Sequence, residues 1–176
     1  MRMNSLSRQL LVLISACFLA LPASAKGTYF TLEQMLQEVF SDVPSNKALW
    51  LNKEQKTAVT SVLQRPFRKA RIKYWAEGDR NLWVLSEIGK EKPITFAVIT
   101  RNGTLERIEV MAFREIRGDE IRMSAYTAQF KELTLTEEQQ LSDSIDGISG
   151  ATYSVRSMKK VARLALLLDQ WTHSGA

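Results

Sequence analysis

Four strand-like runs between positions 69 and 114 place the strongest limit on how this chain can fold. The runs cover 69–77, 82–88, 94–100 and 105–114, and short turn sequences separate them. Asn102-Gly103 joins the last two runs, and because both residues tolerate positive φ it is the strongest hairpin signal in the chain. The run 82–88 is apolar on both faces, as in a central strand. The sequence therefore predicts an antiparallel β-meander of at least four strands.

Helices are predicted on either side of the meander in the sequence. The segment 31–40 begins with Thr31 and Gln34 at capping-box spacing, and Asn52 with Gln55 opens a second helix that ends near residue 64. A short strand is expected at 47–51 and a short helix at 124–131. With these elements the predicted fold class is α+β, a meander packed with helices.

The last predicted helix is amphipathic and runs from about Ser154 to Trp171. Its apolar positions predict a buried stripe, which consists of Val155, Met158, Ala162, Leu164, Ala165, Leu167 and Leu168. The basic residues of this helix are expected to form a solvated face, and they are Arg156, Lys159, Lys160 and Arg163. The four tryptophans, Trp50, Trp75, Trp83 and Trp171, are assigned to the core or its rim.

The first twenty-five residues have the pattern of a secretory signal peptide. Two basic residues precede an apolar run from Leu10 to Leu21, and Ala23-Ser24-Ala25 follows as a cleavage site. We therefore expect an exported or periplasmic protein cleaved after Ala25, with 26–176 as a single domain. The alternatives are an N-terminal membrane anchor, for which the apolar run is short, and a lipoprotein processed at Cys17.

The inventory of reactive side chains narrows the possible chemistry. The sequence has one Cys, which lies in the signal segment, and one His, at position 173. Zinc sites, Ser-His-Asp triads and Cys-His pairs are therefore not expected, and we predict no metal. The formal net charge of +5 is spread along the chain, so no nucleic-acid partner is expected. Any redox chemistry would have to come from a bound cofactor.

The segment Asp146-Gly-Ile-Ser-Gly-Ala-Thr-Tyr-Ser154 precedes the last helix and is the strongest functional signal. Because Gly150 and Ala151 have small side chains, we expect the backbone around Thr152 to be accessible and its hydroxyl to project from the loop at a helix N-terminus. The unpaired N–H groups and positive dipole end of such a terminus favour a phosphate. The alternative interpretation is a simple capping turn.

Asp146, Ser149, Gly150, Ala151 and Thr152 match the flavinylation motif D-x-x-[ST]-G-A-T, and the chain resembles FMN-binding domains. It is similar to small soluble members of that family, to the C subunit of sodium-pumping NADH:quinone reductases and to the G subunit of Rnf-type complexes. The resemblance implies an attachment core at about 69–171. It implies that Thr152 is joined covalently to the phosphate of FMN by a flavin transferase. The transferase would use FAD as the donor and would recognise Asp146 as part of the motif.

A second segment, Phe113 to Gly118, fits the Tyr/Phe-Arg-Glu-x-x-Gly pattern of the small members. The resemblance places Glu115, Arg117 and Gly118 near the cofactor, whereas the alternative is a solvated hairpin end. A cation from Arg114 or Arg117 would raise the flavin potential. Tyr126, Phe130 and Tyr153 are candidates to pack on the flavin ring, and Tyr153 is favoured because it adjoins Thr152. Ser154, the next residue, is also expected at the site.

These observations favour a periplasmic electron carrier with covalent FMN over an enzyme. Its redox partner would be a periplasmic or membrane protein. The first alternative is a flavin-dependent reductase of a small molecule, which would need an acid/base pair that the sequence does not reveal. The second is a binding or structural module without flavin, in which the motif only caps the helix.

Overall fold

Five antiparallel strands form one sheet in which each strand pairs with its neighbours along the chain. The computed structural model describes residues 27–174. The strands lie in the order β1-β2-β3-β4-β5, and their bounds are Lys47–Trp50 (β1), Arg71–Glu77 (β2), Arg80–Ile88 (β3), Pro93–Arg101 (β4) and Thr104–Ala112 (β5). The predicted meander is confirmed, and the short strand expected at 47–51 adds a fifth member to it.

The helices also follow the sequence prediction closely. Their bounds are Leu32–Val39 (α1), Lys53–Leu63 (α2), Ser124–Thr127 (α3) and Thr152–Ser174 (α4), with 3-10 turns at Asp119–Arg122 and Ala128–Phe130. Both predicted capping boxes are present, because the side chains of Thr31 and Asn52 each accept a hydrogen bond from the N–H three residues on, and their own N–H groups donate to the side chains of Gln34 and Gln55. The helix expected at 124–131 is instead a single α-turn continued by 3-10 geometry.

The Asn102-Gly103 turn has the predicted geometry. The two residues have φ values of 50° and 76°, which match the right-handed twist of the strands that they join. In the β2–β3 turn only the first central residue, Gly78, has positive φ, at 58°. Local sequence therefore sets the connections of the meander.

The sheet is covered on both faces, which explains the apolar character of β3. Trp83 faces the layer formed by α2 and α4, whereas the adjacent Leu82 faces α1, and both side chains are fully buried. Strand β3 lies in the middle of the sheet, as predicted. The predicted stripe of α4 is buried throughout.

Three side chains of α4 contradict the expectation of a solvated basic face. Lys159 Nζ donates to the Ile145 carbonyl, Lys160 Nζ to that of Leu63 and Arg163 Nε to that of Gln139, at 2.7–3.1 Å. Their aliphatic stems pack on the protein while their charged ends satisfy loop carbonyls. Only Arg156 is exposed.

Trp50 was expected in the core or at its rim, and this was wrong. It lies on the edge strand β1 with 65% of its surface exposed, under the Arg71 guanidinium. In residues 27–174 we find no helix that combines the length and the hydropathy needed to cross a bilayer. The predicted signal peptide and the lipoprotein alternative at Cys17 lie outside the described residues.

Candidate flavin-binding site

The loop that carries the motif is held in place by two side chains from the preceding turn of helix. The Asp146 N–H donates to Gln129 Oε1 at 2.9 Å, and the Asp146 carbonyl accepts from the Tyr126 hydroxyl at 3.1 Å. Burial, together with the nearby Asp146 charge, raises the pKa of Tyr126 to about 12. Tyr126 therefore positions the loop, and Phe130 is fully buried in the core. Neither of these two aromatics lines the cleft described below, so they are not available to stack on a cofactor there.

Helix α4 begins at Thr152 without a side-chain cap. The preceding residue, Ala151, has no acceptor on its side chain, and its carbonyl serves the Val155 N–H at 3.0 Å. Within residues 27–174, the N–H groups of Thr152, Tyr153 and Ser154 have no hydrogen-bond acceptor. Helices α1 and α2 both carry full capping boxes, so this end of α4 differs from them. Three free donors and a positive dipole end suit a phosphate.

The segment after β5 packs directly against the start of α4, and Gly118 makes this possible. A Cβ at Gly118 would lie 2.6 Å from Ser154 Oγ and 3.4 Å from Ala151 Cα, and the residue has φ of 93°. A side chain there would meet both a steric clash and an unfavourable backbone region. Gly118 thus allows the segment after β5 to lie against Ala151 and Ser154.

We expect Gly118→Ala to destabilise the protein by about 2–3 kcal/mol, because it adds strain at positive φ to a contact that cannot accommodate a methyl group. Urea unfolding followed by circular dichroism measures this. Gly147→Ala is the matched control, since its Cβ would meet nothing within 4 Å and its φ is not in the positive region. Equal losses in the two variants would contradict the proposed close contact.

Glu115 braces the β3–β4 turn instead of pointing freely into solvent. Its Oε1 accepts from the N–H groups of Glu91 and Lys92 at 2.7 and 2.8 Å. Partial burial opposes ionisation, but the backbone donors of Lys92, Glu91 and Lys90 and the Lys92 charge outweigh it and hold the pKa of Glu115 below its ordinary value of 4.5. The carboxylate thus brings residues 89–92 next to the segment that follows β5.

This arrangement predicts a pH dependence for the β3–β4 turn. Because the folded-state pKa of Glu115 is lowered, its stabilising bonds are complete above the ordinary value of 4.5 and are lost as the pH falls through the folded-state pKa. Amide chemical shifts of Glu91 and Lys92, followed by NMR during acidification, should report this transition. In Glu115→Gln the same amides should show no titration with that midpoint, and an unchanged titration would contradict the assignment.

A cleft of about 470 Å³ opens between this braced turn and the head of α4. Six of the ten predicted site residues line it, namely Glu115, Arg117, Gly150, Ala151, Tyr153 and Ser154. Gly118 backs the cleft through its contact with Ser154, and Thr152 lies exposed between Ala151 and Tyr153. Asp146 and Ser149 are exposed on the approach to the cleft and do not line it.

Three further residues, which were not predicted from the sequence, complete the lining: Lys90, Glu91 and Ile116. The order of the strands in the predicted meander could have indicated the first two. In antiparallel order, the β3–β4 turn and the chain that leaves β5 lie at the same end of the sheet, since Thr95 pairs with Ala112. Ile116 is 78% exposed, so it forms an apolar rim beside Tyr153, which is 49% exposed.

The cations near the cleft have different roles. Arg114 Nη1 donates to the Pro93 carbonyl and to Thr95 Oγ1, at 3.0 and 3.1 Å, and does not line the cleft. The Arg117 side chain lines it and has no hydrogen bond or ion pair to any described residue, and the same holds for the Lys90 side chain. Of the two arginines predicted to influence a cofactor, Arg117 is thus the one with access to the cleft.

Residues 89–167 match the FMN-binding domain family. This part of the chain is an FMN-binding domain. The match begins in the β3–β4 turn and ends within α4, so it includes every residue that lines the cleft. Comparisons with curated proteins and with solved structures returned no match.

The residues of the FMN-binding domain suit the chemical groups of FMN. The cleft volume falls within the range of roughly 300–1,000 Å³ that is typical of small-molecule sites. The uncapped head of α4 offers donors for a phosphate, Ala151, Ile116 and Tyr153 offer apolar surface for a ring, and Arg117 and Lys90 offer positive charge. The fold thus gathers complementary groups for each part of the cofactor in one place.

Proposed function

We propose that this FMN-binding protein carries FMN joined by a phosphoester to Thr152 and acts as an electron carrier in the periplasm or another exported compartment. The observation that carries the proposal is the position of Thr152. Its hydroxyl is exposed on the first residue of α4, beside three unpaired backbone N–H groups and at the edge of the cleft. A phosphate bound by those donors would lie next to the oxygen that we propose is esterified.

The attachment reaction balances with FAD as the donor. The Thr152 oxygen forms a bond to the phosphorus on the FMN side of the pyrophosphate, the bond from that phosphorus to the bridging oxygen breaks, and AMP leaves. The hydroxyl proton is lost from Thr152. Within residues 27–174 no base lies within hydrogen-bond distance of the Thr152 hydroxyl, so we assign proton removal to a flavin transferase that also recognises the exposed Asp146.

When bound, FMN supplies the one- and two-electron redox chemistry that the side chains of this protein lack. The chain positions and tunes the group. The cleft carries two cations, Arg117 and Lys90, and two carboxylates, Glu91 and Glu115, and the cations would raise the reduction potential by stabilising added negative charge where they lie nearer the ring than the carboxylates. The apolar surfaces of Ile116 and Tyr153 cover part of the cleft while leaving it open to a redox partner.

The carboxylates of the cleft favour a carrier over a small-molecule reductase. Glu115 is committed to two backbone N–H groups and its pKa is lowered, so it is a poor proton donor at neutral pH. Glu91 is exposed on the turn. A carrier needs no proton donor aimed at a substrate, whereas a reductase that protonates its product does. We therefore propose a periplasmic or membrane protein as the redox partner.

The decisive experiment is an intact mass spectrum of the protein produced together with a flavin transferase. We expect the mass of the chain after signal removal plus one FMN less one water, and a tryptic fragment spanning Thr152 that carries the whole increment. A yellow protein that releases its flavin on denaturation would show a non-covalent site instead. A colourless protein of unmodified mass would favour the structural module. Turnover of a small electron acceptor by the purified protein alone would favour the reductase.

A further inference from the structure

Strands β2 and β3 separate along half of their length. They pair from Tyr74 to Glu77 with Arg80 to Trp83, and the last pair is stacked, with the Tyr74 and Trp83 rings 4.7 Å apart. Beyond that point β2 pairs only with β1, through Arg71, and β3 only with β4, through Ile88. The sheet is therefore split at this end, although both strands remain regular.

A second cleft, of about 480 Å³, lies in this split and shares no lining residue with the cleft at Thr152. Its floor is apolar because the split opens onto the layer that α2 and α4 form against the sheet. The floor residues are Leu63, Phe67, Ile72, Leu85 and Leu164, and Trp75 and Val84, which pack on the α1 side of the sheet, add apolar wall. A floor of this kind favours an aliphatic or ring body over a fully polar ligand.

The rim of the second cleft is cationic. It carries Arg65, Lys69, Arg71 and Lys73, and no carboxylate lines it. The surrounding sequence has no acidic residue between Glu54 and Glu77. The buried Glu87 carboxylate is paired with Arg65 at 2.8 Å and with Lys160 at 3.8 Å. The side chains of Lys69 and Lys73 have no ion-pair or hydrogen-bond partner in the described chain.

We propose that the second cleft binds an amphiphilic anion, meaning a single apolar chain with a carboxylate or phosphate head. The apolar body would lie on the floor between β2 and β3, and the head would pair with Lys69, Arg71 and Lys73. Binding would also relieve the repulsion among these cations. A cationic or neutral amphiphile would make apolar contacts with the floor but no ion pairs with the rim. A short anion would form the ion pairs but few apolar contacts. This inference is independent of whether FMN is attached at Thr152.

Calorimetric titration of the purified protein with monomeric dodecanoate tests the proposal. We expect one site, an affinity that falls as salt is added, and binding at least about tenfold weaker for butyrate and for dodecyltrimethylammonium. If butyrate binds as tightly as dodecanoate, the apolar floor plays no part and the proposal is wrong. Binding to phosphatidylglycerol vesicles without binding of monomeric dodecanoate would also overturn it, in favour of a membrane-facing surface.

Variants locate the site. The double variant Arg71→Glu with Lys73→Glu should weaken dodecanoate binding at least about tenfold. Lys47→Glu makes the same kind of change on exposed β1, outside the cleft, and should change the affinity less than about twofold. Ser86→Trp narrows the cleft from its exposed mouth without altering charge and should also abolish binding, so the test stands even if the double variant fails to fold. Unchanged affinity in Ser86→Trp would refute the location.

Discussion

Thr152→Ala is expected to eliminate covalently attached FMN when the protein is produced with its transferase. The change removes the only oxygen that the proposal esterifies, so the loss should be complete rather than partial. The fold should persist, because Thr152 is exposed and its side chain makes no hydrogen bond to any described residue. We expect its stability to change by no more than about 0.5 kcal/mol. Intact mass and flavin absorbance of the purified variant measure both effects.

Two further variants make the Thr152 experiment specific. Ser144→Ala deletes an exposed hydroxyl from the same loop outside the motif and should leave the mass increment unchanged. Asp146→Ala should reduce attachment without unfolding the loop, since the hydrogen bonds of Asp146 with Gln129 and Tyr126 use only its backbone. A full mass increment in Thr152→Ala would disprove the attachment site, whatever the other variants show.

Asp169→Ala is expected to cause the largest loss of stability, about 3–5 kcal/mol. The Asp169 carboxylate is completely buried in the last turns of α4 and accepts from Asn81 Nδ2 at 2.7 Å, Thr100 Oγ1 at 2.5 Å and the Gly103 N–H at 2.8 Å. Removing it leaves Thr100 Oγ1 and the partly buried Gly103 N–H without their acceptor and Asn81 Nδ2 with only Thr172 Oγ1 at 3.3 Å, and each group that loses its partner carries a desolvation penalty. Urea unfolding measures the free-energy change.

Position within the fold, rather than charge, should determine this effect. Asp42→Ala removes a carboxylate from an exposed residue whose side chain forms no bond in the described chain, so it should cost less than about 0.5 kcal/mol. Asp169→Asn keeps the shape but presents an NH₂ group to at least one donor, so we expect an intermediate loss. A loss below about 1 kcal/mol for Asp169→Ala would show that water or rearrangement replaces the three bonds.

The sequence predicted only those parts of the site that depend on residues next to one another in the chain. The order Gly150, Ala151, Thr152 requires a slim loop before the amphipathic helix, and this loop is present. Glu115 and Gly118 lie beside this loop, and their proximity to a cofactor stays a prediction. The structure adds a role for each that the sequence did not indicate, since Glu115 binds backbone N–H groups of a turn and Gly118 allows close contact with the first residues of α4.

Lys90 shows why the remainder escaped prediction. It enters the cleft because Glu115 binds the turn that contains it, across more than twenty residues of chain. The order of the strands places this turn at the same end of the sheet as the chain that leaves β5, but the contact itself depends on two backbone N–H groups, which every residue but proline possesses. The second cleft could not be predicted from the sequence either. The side chains of a strand alternate between the two faces of the sheet whether or not the neighbouring strand is paired with it, so the sequence pattern does not reveal where β2 and β3 separate.

Short-range chemistry was enough to specify the capping boxes, the Asn102-Gly103 hairpin, the buried stripe of α4 and an exposed hydroxyl at its head, because each depends on residues within a few positions of one another. Packing alone decided which elements meet. It covered the basic side of α4, left Trp50 exposed, placed Lys90 and Arg117 at the cleft and separated β2 from β3. Those outcomes depend on contacts between distant segments, whose geometry is determined only when the whole core has closed.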